Sequence, residues 1–254
     1  MEESLAELER IQTRILQRIS ALELSHLHNP DSAPFPSTSD HSNYDAEADT
    51  EAHLSAILRT HGVNDFSFKK VPGDYYDWPL EARREALAAA SVDHLCKSIV
   101  LVNTQAQSNI VDCSDHRNSK YYVVVVQYTA RFNAETVKNF LYLLNNGKIA
   151  KKKFNLRLAP EEISVKLTGY EHNAVTCIGM KTDIPEALDV EIKRIVIPQL
   201  GDEMHQNVIL DEAIAKLDPD FFWLGGGETD LKLGIKTSEF INFVKPFIVN
   251  CSGT

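Results

Sequence analysis

Apolar residues at Leu5, Leu8, Ile11, Ile15, Ile19 and Leu22 recur every three or four positions among charged neighbours, which predicts an amphipathic helix over residues 1–25. Three heptads is short for an isolated helix, so its apolar stripe predicts pairing with itself, with a partner, or with the rest of the chain. Residues 26–45 are rich in Pro, Ser, Asp and Asn and read as a flexible linker. From residue 46 to 254 the periodicity is that of a folded domain. A helix is predicted over 47–61, stopped by Gly62, then a strand over 66–71, a helix over 79–90 and a strand over 98–103. The run YYVVVVQY at 121–128 is the most β-prone stretch of the chain and predicts a strand buried on both faces. Asn133 caps a helix through Leu144, ended by Asn146-Gly147; FNLRLA predicts a strand and Pro160 opens a helix. A helix over 210–217, strands at 221–227 and 231–236, and a last helix from Ser238 complete the pattern. Strands and helices mix without a regular βαβ beat. The expectation is a mixed α/β fold, with a central mixed sheet of about six or seven strands and flanking helices. Residues 186–207 hold an apolar patch broken by Pro198 and Gly201 and read as an insertion.

Composition adds limits. With 43% hydrophobic and 24% charged residues, the 254-residue chain suits one globular domain with an appendage. No apolar run approaches the ~20 residues of a bilayer span. The opening MEESLAELER is acidic where a secretory leader is basic and then apolar, so no membrane association and a cytoplasmic location are expected. Cys96, Cys113, Cys177 and Cys251 are scattered without a CxxC pair, which argues against a zinc knuckle or a disulfide framework; neither a metal nor a cofactor is predicted. The net charge of -10 argues against indiscriminate nucleic-acid binding. Between positions 148 and 181, however, seven Lys/Arg face three acids. Lys151, Lys152 and Lys153 form the core of this basic island, either a solvated face or a phosphate contact.

Three motifs carry candidate chemistry. The first is GYEHNAVTCIGM at 169–180, two glycines bracketing small residues with one histidine and one cysteine. It can hold a thiol and its base (Cys177, His172), cradle an anion with its backbone, or turn a corner. The second, FFWLGGGETDLKLG, lacks the spacing of a P-loop or a dinucleotide fingerprint. Gly225, Gly226 and Gly227 still allow close approach of a backbone or a ligand, or form a bulge. The third is Lys97 at the mouth of a strand, where a lysine either snorkels to solvent or presents a fixed cation to a cleft.

Together, Lys97 before a strand, the GYEHNAVTCIG loop and FFWLGGGETDLKLGI before a final helix resemble the YbaK/ProX family of aminoacyl-tRNA deacylases, related to the editing domain of prolyl-tRNA synthetases. The resemblance covers about residues 46–249. It implies a central sheet with flanking helices and hydrolysis of the ester joining a wrong, small amino acid to a tRNA for proline. The implied partner is an aminoacyl-tRNA acceptor end, with a synthetase as a possible partner of the N-terminal helix. The family's pocket loop runs glycine, three residues, proline; here those positions are Asn173 and Cys177, which puts specificity first and activity second in question. The implied site comprises Lys97, the backbone of Asn173, Ala174, Val175, Thr176, Cys177 and Gly179 for the oxyanion, His172 and Gly225 to Gly227 around the substrate, and Lys151 to Lys153 on tRNA. The neighbouring ribose hydroxyl would place the water. The alternative implied is a catalytically inactive tRNA- or synthetase-binding module that docks through its N-terminal helix.

Overall fold

The computed structural model describes residues 44–107, 110, 117–181 and 207–252. The expected helix over 1–25, the linker up to residue 43 and all but the last residue of the expected insertion lie outside them. In chain order the elements are α1 (Tyr44–Thr60), β1 (Phe66–Lys70), α2 (Leu80–Leu87), β2 (Cys96–Asn103), β3 (Tyr121–Gln127), α3 (Ala134–Leu144), β4 (Leu156–Leu158), α4 (Glu161–Thr168), β5 (Val208–Asp211), α5 (Glu212–Ala215), β6 (Phe222–Gly225), β7 (Leu231–Ile235), α6 (Thr237–Val244) and β8 (Phe247–Val249). The fold is mixed α/β, as the pattern predicts. Among the described residues the strands divide into two sheets instead of one. One is five-stranded and mixed, in the order β4-β2-β3-β5-β8; the other is three-stranded and antiparallel, in the order β1-β7-β6.

β3 explains the layering. It lies at the centre of the larger sheet, antiparallel to β2 and parallel to β5. Side chains alternate across a strand. Val123 and Val125 therefore enter one core, while Tyr122, Val124 and Val126 enter another. The first core is closed by Leu54 and Leu58 of α1, Phe240 and Val244 of α6, and the apolar face of the smaller sheet, Phe222, Leu224, Leu233 and Ile235. The second is closed by Val137 and Leu141 of α3 with Phe154 and Leu156. A third, smaller cluster places Tyr75, Leu87, Leu95 and Trp223 on the opposite face of β6.

Two local expectations are corrected. Residues 208–211 are a strand, and the helix expected over 210–217 begins only at Glu212, where the Asp211 side chain accepts from Ala213 N–H. The outer edge of β3 requires a hydrogen-bonding partner, and Val123 N–H donates to Asn207 O at 3.0 Å on that side; four residues of periodicity cannot reveal this. The final helix stops at Val244 because Lys245 is left-handed (φ 49) and Pro246 cannot continue a helix, which leaves Phe247–Val249 to pair with β5.

Candidate functional site

The two sheets touch at a parallel bridge between Leu95 and Trp223. Beside it lies a cavity of about 380 Å³, lined by the start of β2, the end of β6, the beginning of α4 and the 172–175 loop. Parity brings β2 to this place with an open edge. Tyr128 N–H donates to Leu95 O, and Lys97 pairs with Val126, so odd positions of β2 turn their backbone toward β3. Even positions face β4, which reaches only as far as Val100, whose carbonyl accepts from Ala159 N–H at 2.9 Å. The strand edge before that point borders the cavity. Lys97 lines it, partly exposed, with its ammonium 5.3 Å from the centre of the Tyr128 ring. It is thus a cleft cation, not a lysine extended into solvent.

The 169–180 loop is built from its glycines inward. Gly169, at φ 82, ends α4 in the left-handed conformation. Tyr170 Oη donates toward Ile178 O and Gly179 O at 2.7 and 3.0 Å, closing the loop on itself. Asn173 adopts φ 67. Asparagine is among the non-glycine residues that tolerate this region. The position where the resembled family has glycine therefore keeps a glycine-like backbone. Its peptide is held from both sides, the carbonyl accepting from Tyr76 Oη at 2.6 Å and the following amide donating to Glu171 O at 3.0 Å.

Of the expected site residues, the structure brings together Lys97, His172, Asn173, Val175 and Gly225 around the cavity. Ala174, Thr176 and Cys177 are instead buried, and Cys177 packs in the first core with Ile178 and Met180. Gly179 backs onto Leu54 and Tyr170. The amides of Ala174 and Ile178 are spent within the loop, on Glu171 O and Thr176 Oγ1. Gly226 and Gly227 also lie off the cavity lining. Gly227 N–H donates to Ala174 O at 3.1 Å, so this glycine serves the seam between β6 and the loop. Gly225 is the tightest point: a Cβ there would lie 2.5 Å from Val175 O. Lys151, Lys152 and Lys153 form an exposed 3-10 turn at the far end of β2, where Asn103 Nδ2 donates to Lys153 O at 2.9 Å. Six residue steps along the strand separate Asn103 from Lys97, about 20 Å. They are not part of the cavity. None of the three described cysteines forms a disulfide, and burial pushes the thiols of Cys96 and Cys251 up. A thiol and its base are not assembled, since Cys177 is buried away from the cavity that His172 lines.

Sequence reasoning missed the cavity's other wall. Tyr75, Tyr76, Tyr128 and Lys232 line it, and the Arg83 guanidinium lies 5.4 to 5.5 Å from all three ring centres. Arg83 is fixed by donating to the carbonyls of Trp78 and Tyr76. Lys232 is 4% exposed, and its ammonium donates to Tyr76 Oη at 2.6 Å and Thr229 O at 2.8 Å. Burial lowers its pKa to about 8, against a raising effect from Asp230 and with a further lowering by Arg83. Burial pushes Tyr75 up to about 12 and raises Tyr76 and Tyr128 as well, so all three remain neutral phenols at physiological pH. The available signal was DYYDW, two tyrosines bracketed by acids and followed by Trp78 in a Gly/Pro-bounded loop. Chemically, the cavity offers cations, neutral hydroxyls and main-chain groups in an enclosure of the size that small ligands occupy, ~300–1,000 Å³. Among the described residues, no three His, Cys, Asp or Glu side chains stand close enough to share a metal ion. No described helix is long and apolar enough to cross a membrane.

Comparison with known proteins identifies the fold. The solved structure of a candidate trans-editing enzyme for prolyl tRNA synthetase matches with a TM-score of 0.54 and 16% identity, covering 81% of this chain and 98% of that one. A scaffold protein from computational epitope backbone grafting matches with a TM-score of 0.53 and 13% identity, covering 81% and 97%. At these identities the likeness establishes a shared fold. No protein-family model matches the sequence, and no curated protein does.

Proposed function

We propose that this chain hydrolyses the ester bond of mischarged aminoacyl-tRNA, removing a small amino acid from a tRNA for proline. The observation that carries the reading is convergence: Lys97, Asn173, Val175 and Gly225, from separate parts of the sequence, border one cavity. In this mechanism Lys97 binds the phosphate of the terminal nucleotide. The backbone N–H groups of Asn173 and Val175 face the oxygen that becomes negative as water adds to the carbonyl. Gly225, lacking a side chain, lets the end of β6 close against the Val175 carbonyl and so fixes the loop that carries these amides. A side-chain nucleophile is unnecessary if the neighbouring ribose hydroxyl orients the water, because placement and oxyanion stabilisation supply the larger share of rate enhancement in such a site. Small amino acids that enter a synthetase pocket are poorly rejected by binding alone, which gives a second hydrolytic site its use.

The left-handed Asn173 supports activity over the alternative of an idle binding module, because the loop keeps its backbone form without the family's glycine. The test is release of amino acid from a panel of mischarged tRNAs by the purified chain, wild type against Lys97→Ala. A loss of about 10- to 100-fold in kcat/KM is expected for removal of one charged hydrogen bond. Turnover equal to wild type removes Lys97 from the mechanism, and no turnover on any charged tRNA removes the hydrolase reading.

A further inference from the structure

Among the described residues, Lys232 sits in the cavity without a counter-ion. Its ammonium lies 4.6 Å from the Tyr76 ring centre and 5.5 Å from that of Tyr75, and two of its three N–H groups are taken by Tyr76 Oη and Thr229 O. Among the described residues no carboxylate stands within ion-pair distance of it. Asp230 acts from farther off, and Arg83 adds a like charge. Its neighbours along β7, Leu231 and Leu233, are fully buried and apolar. A buried ammonium is costly unless a charge partner reaches it, whereas an apolar side chain would fill the same volume without that cost. The arrangement is compensated when an oxyanion enters the cavity and takes the remaining N–H.

Depth selects the kind of anion. Lys97 is partly exposed at the edge and Lys232 is nearly sealed. A phosphodiester continues as chain on both sides and must run back to solvent, so it suits the edge cation. The sealed one suits a terminal group. Glu161 also lines the cavity but is exposed, where its repulsion is screened. We propose that Lys232 binds a carboxylate at the end of the acyl side chain, making the preferred substrate an ester of a short acidic amino acid, aspartyl before glutamyl in a cavity of about 380 Å³. This rests on the deacylase reading above and names its substrate class.

The test uses the full chain and one tRNA charged in turn with aspartate, asparagine and alanine. Wild type is expected to favour aspartyl over alanyl ester by about 10- to 100-fold in kcat/KM, the range of one charged hydrogen bond. Lys232→Gln, which keeps donors for Tyr76 but loses the charge, is expected to bring that ratio to within about threefold of unity. Lys232→Arg is expected to restore part of it. A uniform loss across all three esters overturns the proposal, since it puts Lys232 on the phosphate common to every tRNA. So does a wild-type preference for alanine. In a second arm, calorimetry compares non-hydrolysable aspartylamido- and alanylamido-adenosine. A preference for the acidic analogue without turnover of any ester upholds the carboxylate site and refutes the hydrolase reading. Equal binding of the two analogues, with turnover present, does the reverse.

Discussion

Replacing Gly225 with alanine is the sharpest perturbation of the cavity. The added Cβ would stand 2.5 Å from Val175 O and 3.0 Å from Ala174 O, where ordinary contact begins at 3.4 Å. The loop must retreat by about 0.9 Å to admit it, the difference between the contact limit and the nearer approach. Both obstructing atoms are main chain, and neither can rotate away as a side chain would. The loop is also held by Gly227 N–H on Ala174 O at 3.1 Å, Tyr76 Oη on Asn173 O and Ala174 N–H on Glu171 O. Overpacking of this kind costs about 1–3 kcal/mol. Misplacing a reacting geometry by ~1 Å costs about 100-fold in rate. Gly225→Ala should therefore lower the urea midpoint and reduce deacylation kcat/KM about 100-fold at temperatures where the protein is folded. Gly62→Ala is the control: Gly62 has φ +78 but nothing within 4 Å of its added Cβ, so it should lose ~1–2 kcal/mol from backbone strain alone and keep its rate. Wild-type kcat/KM in Gly225→Ala would refute the argument that the end of β6 sets the position of the loop.

Three further outcomes follow from the same geometry. Asn173→Gly should stay within about 0.5 kcal/mol of wild type and keep its rate, whereas Asn173→Val, a β-branched residue forced to φ 67, should lose about 1–2 kcal/mol and turnover, as urea melts and kcat/KM will read. Lys232 has a folded pKa of about 8 against an ordinary 10.5, so the unfolded chain binds more protons between those values and stability rises with pH across that window. Relative to Lys232→Met, wild type should gain about 2 kcal/mol between roughly pH 7.5 and 9.5 in urea unfolding; a parallel pH dependence in the two proteins would contradict a buried, charged Lys232. Neutralising Lys151, Lys152 and Lys153 should reduce the log–log salt slope of tRNA binding by about one for each lysine on a phosphate, with Lys151 first exchanging its 3.2 Å pair with Glu135. An unchanged slope makes the turn a solvated face.

Local chemistry made much of this chain legible. Four consecutive valines in a run of β-formers placed the central strand, Asn133 capped its helix as its side chain suggests, and Lys97, the 169–180 loop and the glycines after FFWL marked segments that do meet. Which atoms of those segments face the cavity was not legible. Cys177 is conspicuous in sequence yet lies in the core, because a loop pinned by Tyr170 and Asn173 buries Thr176, Cys177 and Ile178 in succession, and that course depends on bonds to Tyr76 and Gly227 from distant parts of the chain.

Lys232 marks the boundary between the two kinds of information. In LKLGI the alternation puts Leu231, Leu233 and Ile235 on one face and Lys232 and Gly234 on the other, and by sequence the second face reads as solvent. Periodicity determines only that a strand has two faces and which residues share one. What covers each face is set by the other layers, and here Tyr75 and Tyr76 close over the lysine from 157 and 156 positions away in the sequence. The elements and the apolar face of each came from the chain's own chemistry, whereas the enclosure that turns a surface lysine into a buried cation arises only from packing, since desolvation is a property of every atom around the charge.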